Sequence, residues 1–419
     1  MQNKTNTGTM PNRDDFPVVL WLASWYPCRI DAFNGDFIQR AAMALAQRMP
    51  VHVFYLMKDE HGQVTKKHLE DTTRNGQLTE TRLYYHPFKS GFPKLDRLIS
   101  AWHYTILGRQ WIKRFRKKQK PGKPWIVEVG VAMRAGTLAL WMKKKWGQHY
   151  LVQEHWTGYY KYLMPPQLQK GPLFWRLSAK ILEQADRLLP DSRHLGEWIN
   201  SEFVQVAFTE IPNAVDTSLF NYTNPENVSN VFRFIHVSTL GYQKNTDGIL
   251  RAFLKWVETH PEYGAELEIV GPGFENHLQF VKTHAALDGR VQFSGPLPYR
   301  EVANHMRKAH ALVLFSRYEN LPCVMLEAFC CGLPVIATRV GGIAYHFTES
   351  NGFLVESENE GQLLEALDNM FNRYKTFNRE AISHMATARY GMEAIGYMYE
   401  KTYSENYPHL FAKSGYLVG

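Results

Sequence analysis

Four cysteines in 419 residues are too few for a disulfide framework in a chain of this length. Cys28, Cys323, Cys330 and Cys331 form no CxxC pair and no Cys/His group with metal spacing, so they read as reduced core thiols of a cytoplasmic protein. No apolar run approaches the roughly 18–20 residues that span a bilayer. The opening "MQNKTNTGTMPNRDDFP" has no apolar core, which argues against secretion. No DxD-type acid pair follows a strand pattern, so neither a metal nor another cofactor is expected. Repeats of solenoid length and low-complexity tracts are absent too. The rest is ordinary for a globular chain: 45% hydrophobic, 21% charged and a somewhat generous 14% aromatic. A net charge of +8 points to an anionic partner, whether a nucleotide, an anionic membrane or a nucleic acid.

The length exceeds that at which one core stops growing, so two domains are expected. "PVVLWLASWYP", a loop holding Asn34 and Gly35, "DFIQRAAMALAQRM" and "VHVFYL" read as strand, loop, helix and strand. Residues 62–84 are polar and carry no clear pattern. A long helix, "LDRLISAWHYTILGRQWIKRFRKKQK", ends at Pro121-Gly122. Strands follow at "PWIVEVG", "HYLVQEH" and "DRLLPDS", and "FVQVAFTEIPNAVDTSLF" reads as a strand leaving this half. "NYTNPENVSN" is the linker candidate. The second half repeats the alternation, from "VFRFIHVSTL" to "HALVLFS". The expected fold is α/β, with two doubly wound, Rossmann-like domains facing a central cleft. The expected bounds are 1–214, completed by a helix within 390–419, and 215–389. Loops 240–247, 271–275 and 316–322 should face the cleft, because ligands of open α/β sheets bind beyond the carboxyl ends of the strands.

"YENLPCVMLEAFCCGLPVIATRVGG" runs from Tyr318 to Gly342 and sets two acids, Glu319 and Glu327, around a helix start. Pro322 suits the first turn, and Gly332 and Pro334 stop the helix. A helix start attracts anions, yet two carboxylates would repel a phosphate. The conflict disappears if they face hydroxyl groups while the phosphate meets backbone N–H. A nucleotide sugar has that layout. The apolar neighbours of Glu327 imply burial, where an unpaired carboxylate is costly.

Together with "WYPCRIDAFNGDFIQRAAMALA", "EHWTGY", "ADRLLPDS", "IPNAVDTSLF", "HVSTLGYQKN", "EIVGPG" and "VQFSGPLP", in that order, this stretch resembles the E-x7-E signature of retaining GT-B glycosyltransferases, the group 1 enzymes or glycosyltransferase family four. The resemblance implies a GT-B fold. It also implies metal-independent, retaining transfer of a hexosyl group from a nucleotide diphosphate sugar to an acceptor hydroxyl. The setting it implies is synthesis of a cell-surface polysaccharide or glycolipid, with a glycan or a lipid-linked molecule as acceptor. Glu319 matches the acid that binds donor-sugar hydroxyls, and Glu327 the acid that holds the ribose. Asn320, Leu321 and Pro322 match the loop whose backbone meets sugar and diphosphate. Lys244 matches the lysine that neutralises the diphosphate, and His155 a histidine beside the reacting centre. Gly35 matches the glycine loop that lets the diphosphate approach, although turn geometry alone also explains a glycine there. Gly271, in "GPG", either passes the base or ends a strand. The family's arginine beside the phosphates is missing. Thr239 takes its place in the donor-binding set, with Arg317 and Lys308 as the candidates to compensate. That departure keeps open a non-catalytic nucleotide-sugar-binding partner of a membrane glycan assembly. A GT-B-shaped isomerase or phosphorylase is the other alternative.

The tract "KRFRKKQK" at 113–120 and "KKK" at 143–145 have Trp111, Phe115 and Trp146 interleaved. Such a pattern fits a solvated helix end and equally a peripheral contact with the anionic inner face of a membrane. Nucleic acid is the weaker match.

Overall fold

The computed structural model describes residues 16–119, 124–160, 170–223 and 231–412. Strands of a parallel sheet are covered on both faces, so they come from the near-continuous apolar runs of each half. In the first half these are β1 (Val18–Ala23), β2 (Val51–Lys58), β3 (His68–Asn75), β4 (Leu78–Tyr85), β5 (Trp125–Gly130), β6 (Tyr150–Glu154) and β7 (Arg187–Pro190). They lie in the order β3-β4-β2-β1-β5-β6-β7, and only β3 and β4 pair antiparallel. In the second half, β8 (Phe232–Val237), β9 (Ala265–Val270), β10 (Val291–Gly295), β11 (Ala311–Leu314), β12 (Val335–Thr338) and β13 (Gly352–Val355) form a wholly parallel sheet, ordered β10-β9-β8-β11-β12-β13. Strand order reverses between β1 and β5 in one sheet and between β8 and β11 in the other. Crevices open at such switch points.

Two sequence readings need correction. Residues 62–84 hold the β3–β4 hairpin, paired from His68↔Tyr85 to Asn75↔Leu78. Its turn signal, Asn75-Gly76, was in the sequence. As an edge strand β3 keeps most side chains in water, so it shows no apolar alternation. "FVQVAFTEIPNAVDTSLF" is not a strand; it meets the sheet at an isolated bridge, Leu188↔Phe208, and through the Ile211 N–H donating to the Pro190 carbonyl at 3.0 Å. Pro121-Gly122 and most of the linker candidate, residues 224–230, lie outside the described residues.

The Pro93–Lys118 helix turns Tyr104, Gly108, Trp111, Ile112 and Phe115 inward. Trp111 stacks on Phe54 with ring centroids 4.0 Å apart. At the basic end, Arg114 reaches Glu70 at 2.7 Å and Arg116 lies over the Trp146 ring at 4.4 Å. The aromatics of the basic tract are therefore core or cation-covered and do not form a membrane-inserting face. Lys120 lies outside the described residues.

The Met392–Asn406 helix returns to the first half and packs on the Asp36–Ala46 helix. Gly396 permits the approach, since a Cβ there would lie 2.4 Å from the Ala44 carbonyl oxygen. Arg48 pairs with Glu400, and the Tyr403 hydroxyl donates to Glu128 on β5 at 3.1 Å. Burial pushes the Glu128 carboxyl from 4.5 up to about 8. The folded protein thus holds a proton between those values that the unfolded chain releases, so stability falls as pH rises through that window. Glu128→Gln should keep the contact with Tyr403 and remove the slope, by up to about 1.4 kcal/mol per pH unit. Urea midpoints at pH 5 and pH 8 test this: the wild type should lose more stability than the variant.

Candidate functional site

The loops after β8 and β11 flank the second sheet's switch point, and together they hold the first acid. Glu319 is buried. Its carboxylate accepts from Lys244 Nζ, from Ser316 Oγ at 2.9 Å and from Gln243 Nε2 at 3.1 Å. Lys244 ends the short Tyr242–Lys244 turn. That turn is tied down by the Arg317 N–H donating to the Gln243 carbonyl at 2.8 Å, and by Gln243 Nε2 donating to the Tyr318 carbonyl at 2.9 Å. Thr239 is exposed at the end of β8. Of the two candidates to replace the missing arginine, Arg317 is engaged by the Tyr242 carbonyl at 2.6 Å and by Glu358 at 3.0 Å. Lys308 is exposed at the end of the Tyr299–Lys308 helix. Gly271 has φ +151°, and a Cβ would lie 1.9 Å from the Ser238 carbonyl oxygen. Glycine is required there by the close approach of two loops of the site.

The second acid meets the first half of the chain. Pro322 is the extended cap of the Cys323–Cys330 helix, and Glu327 lies on the buried face of that helix. Arg40 Nη1, from the Asp36–Ala46 helix, stands 2.5 Å from Glu327 Oε1, and its Nη2 stands 3.2 Å from Asp36. Tyr299 donates its hydroxyl to Asp36, and the Arg40 guanidinium lies 5.4 Å from the Tyr299 ring centroid. Burial pushes the Glu327 carboxyl up, and Arg40 opposes that shift. Each of the two acids around this helix start thus has a cation of its own, Lys244 on Glu319 and Arg40 on Glu327. Sequence reasoning missed Arg40; the only local signal was its i,i+4 spacing from Asp36. Gly35 caps the same helix in a left-handed conformation, φ +68°, and a Cβ would lie 2.5 Å from the Trp25 backbone.

Further contacts close the cleft. Asn320 Nδ2 donates to the His155 carbonyl at 2.6 Å, and Asn213 Nδ2 to the Leu321 carbonyl at 2.9 Å. The His155 ring packs on Phe37 with centroids 4.5 Å apart, and its Nδ1 stands 3.4 Å from Asp191. Among the described residues, both ring nitrogens of His155, and one side-chain oxygen each of Asp191, Asn213 and Asn320, are buried without a hydrogen-bond partner. Such a group of orphaned polar atoms fits a hydroxyl-rich ligand. Burial also pushes the Asp191 carboxyl up. Asp191 and Asn213 sit inside "ADRLLPDS" and "IPNAVDTSLF", so the motifs were visible although these two side chains were not singled out. Beside His155, a cavity of about 530 Å³ opens in the first half. Its walls include Trp25, Tyr55, Tyr104, Arg134, Trp156 and Phe174. Glu154 lines it as well, its carboxylate accepting from the Ala132, His155 and Trp156 N–H groups and from the Tyr159 hydroxyl. Among the described residues no three His, Cys, Asp or Glu side chains gather to hold a metal ion.

Residues 223–384, which carry both acids and Lys244, match the family model for glycosyl transferases group 1. Over that segment the chain is similar to the group 1 glycosyltransferases. Among curated relatives, it is 29% identical over 178 residues to a GDP-mannose-dependent monoacylated alpha-(1-6)-phosphatidylinositol monomannoside mannosyltransferase of Corynebacterium glutamicum, an alignment covering 38% of this chain and 46% of that one. The chain spans under half the length of the first curated relatives it matches. Among solved structures, it resembles sucrose-phosphate synthase from Thermosynechococcus elongatus with a TM-score of 0.74 at 17% identity, covering 94% of this chain and 100% of that one. Anabaena HepE in complex with UDP-glucose is similar at a TM-score of 0.64 and 15% identity, covering 93% of this chain and 100% of that one. These likenesses establish the fold as GT-B.

The site depends on the Arg40–Glu327 pair, and its removal is measurable. Arg40→Met strands a carboxylate that is 4% exposed, which costs about 3–5 kcal/mol for a broken buried pair. Arg40→Met combined with Glu327→Gln should recover most of that loss. Urea unfolding of wild type, single and double variants checks it: a single-variant cost under about 1 kcal/mol would show that Glu327 does not depend on its cation.

Proposed function

We propose that the chain is a retaining glycosyltransferase that moves a hexosyl group from a nucleotide diphosphate sugar to an acceptor hydroxyl in glycolipid or cell-surface polysaccharide synthesis. One observation carries the reading: Glu319 and Lys244 sit together at the second sheet's switch point, while the neighbouring Asn320 holds the His155 strand end across the cleft. The likeness to a UDP-glucose complex and to a phosphatidylinositol mannoside mannosyltransferase supports the substrate classes.

In this mechanism the barrier is set by charge growing on the departing diphosphate. Lys244 leaves Glu319 for the diphosphate, and the first N–H groups of the Cys323–Cys330 helix face the same charge. Glu319, released from Lys244, takes the hydroxyls of the donor sugar, and Glu327 the ribose. The His155 ring supplies a hydrogen bond beside the anomeric carbon. No side chain serves as covalent nucleophile. The acceptor hydroxyl attacks on the face from which the phosphate departs, its proton passes to a phosphate oxygen, and configuration is retained. The acceptor occupies the aromatic-walled cavity of the first half. With Lys244 serving the diphosphate, no metal is required.

The absence of the family arginine at Thr239 favours one second reading, a donor-binding partner without turnover. A panel of UDP- and GDP-sugars, assayed for binding by thermal shift and for donor consumption with and without a glycolipid acceptor, separates the two. Binding without consumption would select the second reading, and consumption abolished by EDTA would overturn metal independence. For the transferase, Lys244→Ala should lower kcat by about 10²-fold, the scale of losing one preorganised charge-stabilising group. Glu319→Gln should lower turnover while leaving the affinity for nucleoside diphosphate within about twofold.

A further inference from the structure

Five of the large hydrophobic side chains that the described chain leaves in water lie within residues 88–102: Phe88 is 52% exposed, Phe92 70%, Leu95 46%, Leu98 69% and Trp102 62%. Leu95, Leu98 and Trp102 are spaced i, i+3 and i+7 on the Pro93–Lys118 helix, so they form one stripe. At 3.6 residues per turn that stripe lies on the side opposite the helix's buried Tyr104, Trp111 and Phe115. Phe88 and Trp102 also edge a groove of about 520 Å³ that Lys66 and Lys67 line from below.

The charge around the stripe is mostly basic. Lys66, Lys67, Lys89, Lys94 and Arg97 are all exposed. Asp96, the one acid within 88–102, accepts from the Ser90 N–H at 2.7 Å and from its hydroxyl at 2.6 Å. Lysine is depleted from the cores of protein–protein interfaces, whereas aromatic and leucine side chains interspersed with lysine suit an anionic headgroup layer. Tyr104, on the inner side of the same helix, lines the 530 Å³ cavity. The helix is thus a wall between this face and the cavity.

We infer that residues 88–102, with Lys66 and Lys67, are the surface by which the chain docks on an anionic lipid bilayer, Phe92, Leu98 and Trp102 entering the interface. Docking lies at the amino-terminal end of the long helix, not at its basic carboxyl end, where Trp111 and Phe115 are buried. The face sets the cavity mouth beside the bilayer, within reach of a lipid-anchored acceptor. That last clause rests on the glycosyltransferase reading; the lipid contact does not.

The test is co-sedimentation of the full chain, without nucleotide sugar, with phosphatidylglycerol-containing and with pure phosphatidylcholine vesicles. Wild type should partition at least tenfold more strongly onto the anionic vesicles, and high salt should weaken this. Phe92→Ser, Leu98→Ser and Trp102→Ser combined should lose at least tenfold in partitioning with an unchanged thermal midpoint, since all three side chains are exposed. A control, Lys117→Glu with Lys118→Glu, should lose less than threefold. Equal binding by wild type and the triple variant overturns the proposal, as does failure of wild type to bind anionic vesicles. A concentration-dependent dimer in solution that the triple variant abolishes also overturns it, because a second copy would then cover the face. Vesicle binding that persists in a protein shown to lack transfer activity would retain the docking surface and reject only the enzymatic reading.

Discussion

The buried pair of Arg40 and Glu327 joins the two halves of this chain, and the rest of the site is arranged around it. Neither charge is tolerable alone at that depth. The pair therefore fixes how the Asp36–Ala46 helix meets the Cys323–Cys330 helix. Asp36 and Tyr299 extend it into a network of one phenol, one guanidinium and two carboxyl groups. Within that arrangement Asn320 reaches the His155 carbonyl and Asn213 reaches the Leu321 carbonyl. A ribose arriving at Glu327 would meet an acid already held by Arg40. Donor binding and the relative placement of the domains are thereby expected to act on the same carboxylate.

The same economy of charge holds at Glu319. Its partner Lys244 is the cation that a diphosphate would recruit, so without ligand the site keeps each charge neutralised in place. Among the described residues, the site's buried polar atoms without a hydrogen-bond partner include the His155 ring nitrogens and single oxygens of Asp191, Asn213 and Asn320. A sugar supplies many hydroxyls that both donate and accept, which is the chemistry those atoms lack. Beside them the cavity is aromatic-walled, and its outer helix carries the exposed apolar stripe on its other side.

Much of the fold was legible because parallel strands and amphipathic helices write their burial into local pattern. The alternation of β and α, the position of the long helix and the E-x7-E helix with its flanking loops all follow from periodicity and from Gly and Pro signals. The β3–β4 hairpin escaped because an edge strand in water needs no apolar alternation. The strand expected in "FVQVAFTEIPNAVDTSLF" failed because local β-propensity forms a strand only where a neighbouring strand pairs with it.

The sequence by itself showed two acids set around one helix start, and its resemblance to the group 1 glycosyltransferases added a lysine after a strand and a histidine at a strand end as expected site residues. Tertiary structure alone decided their partners. Arg40 lies 287 residues before Glu327, and no local rule relates them. Tertiary structure also decided direction. Trp111 and Trp102 are both aromatic positions on one helix, yet one is core and the other faces water. Local spacing says which residues share a helix face, but only the sheet packed beneath the helix says which face is inside.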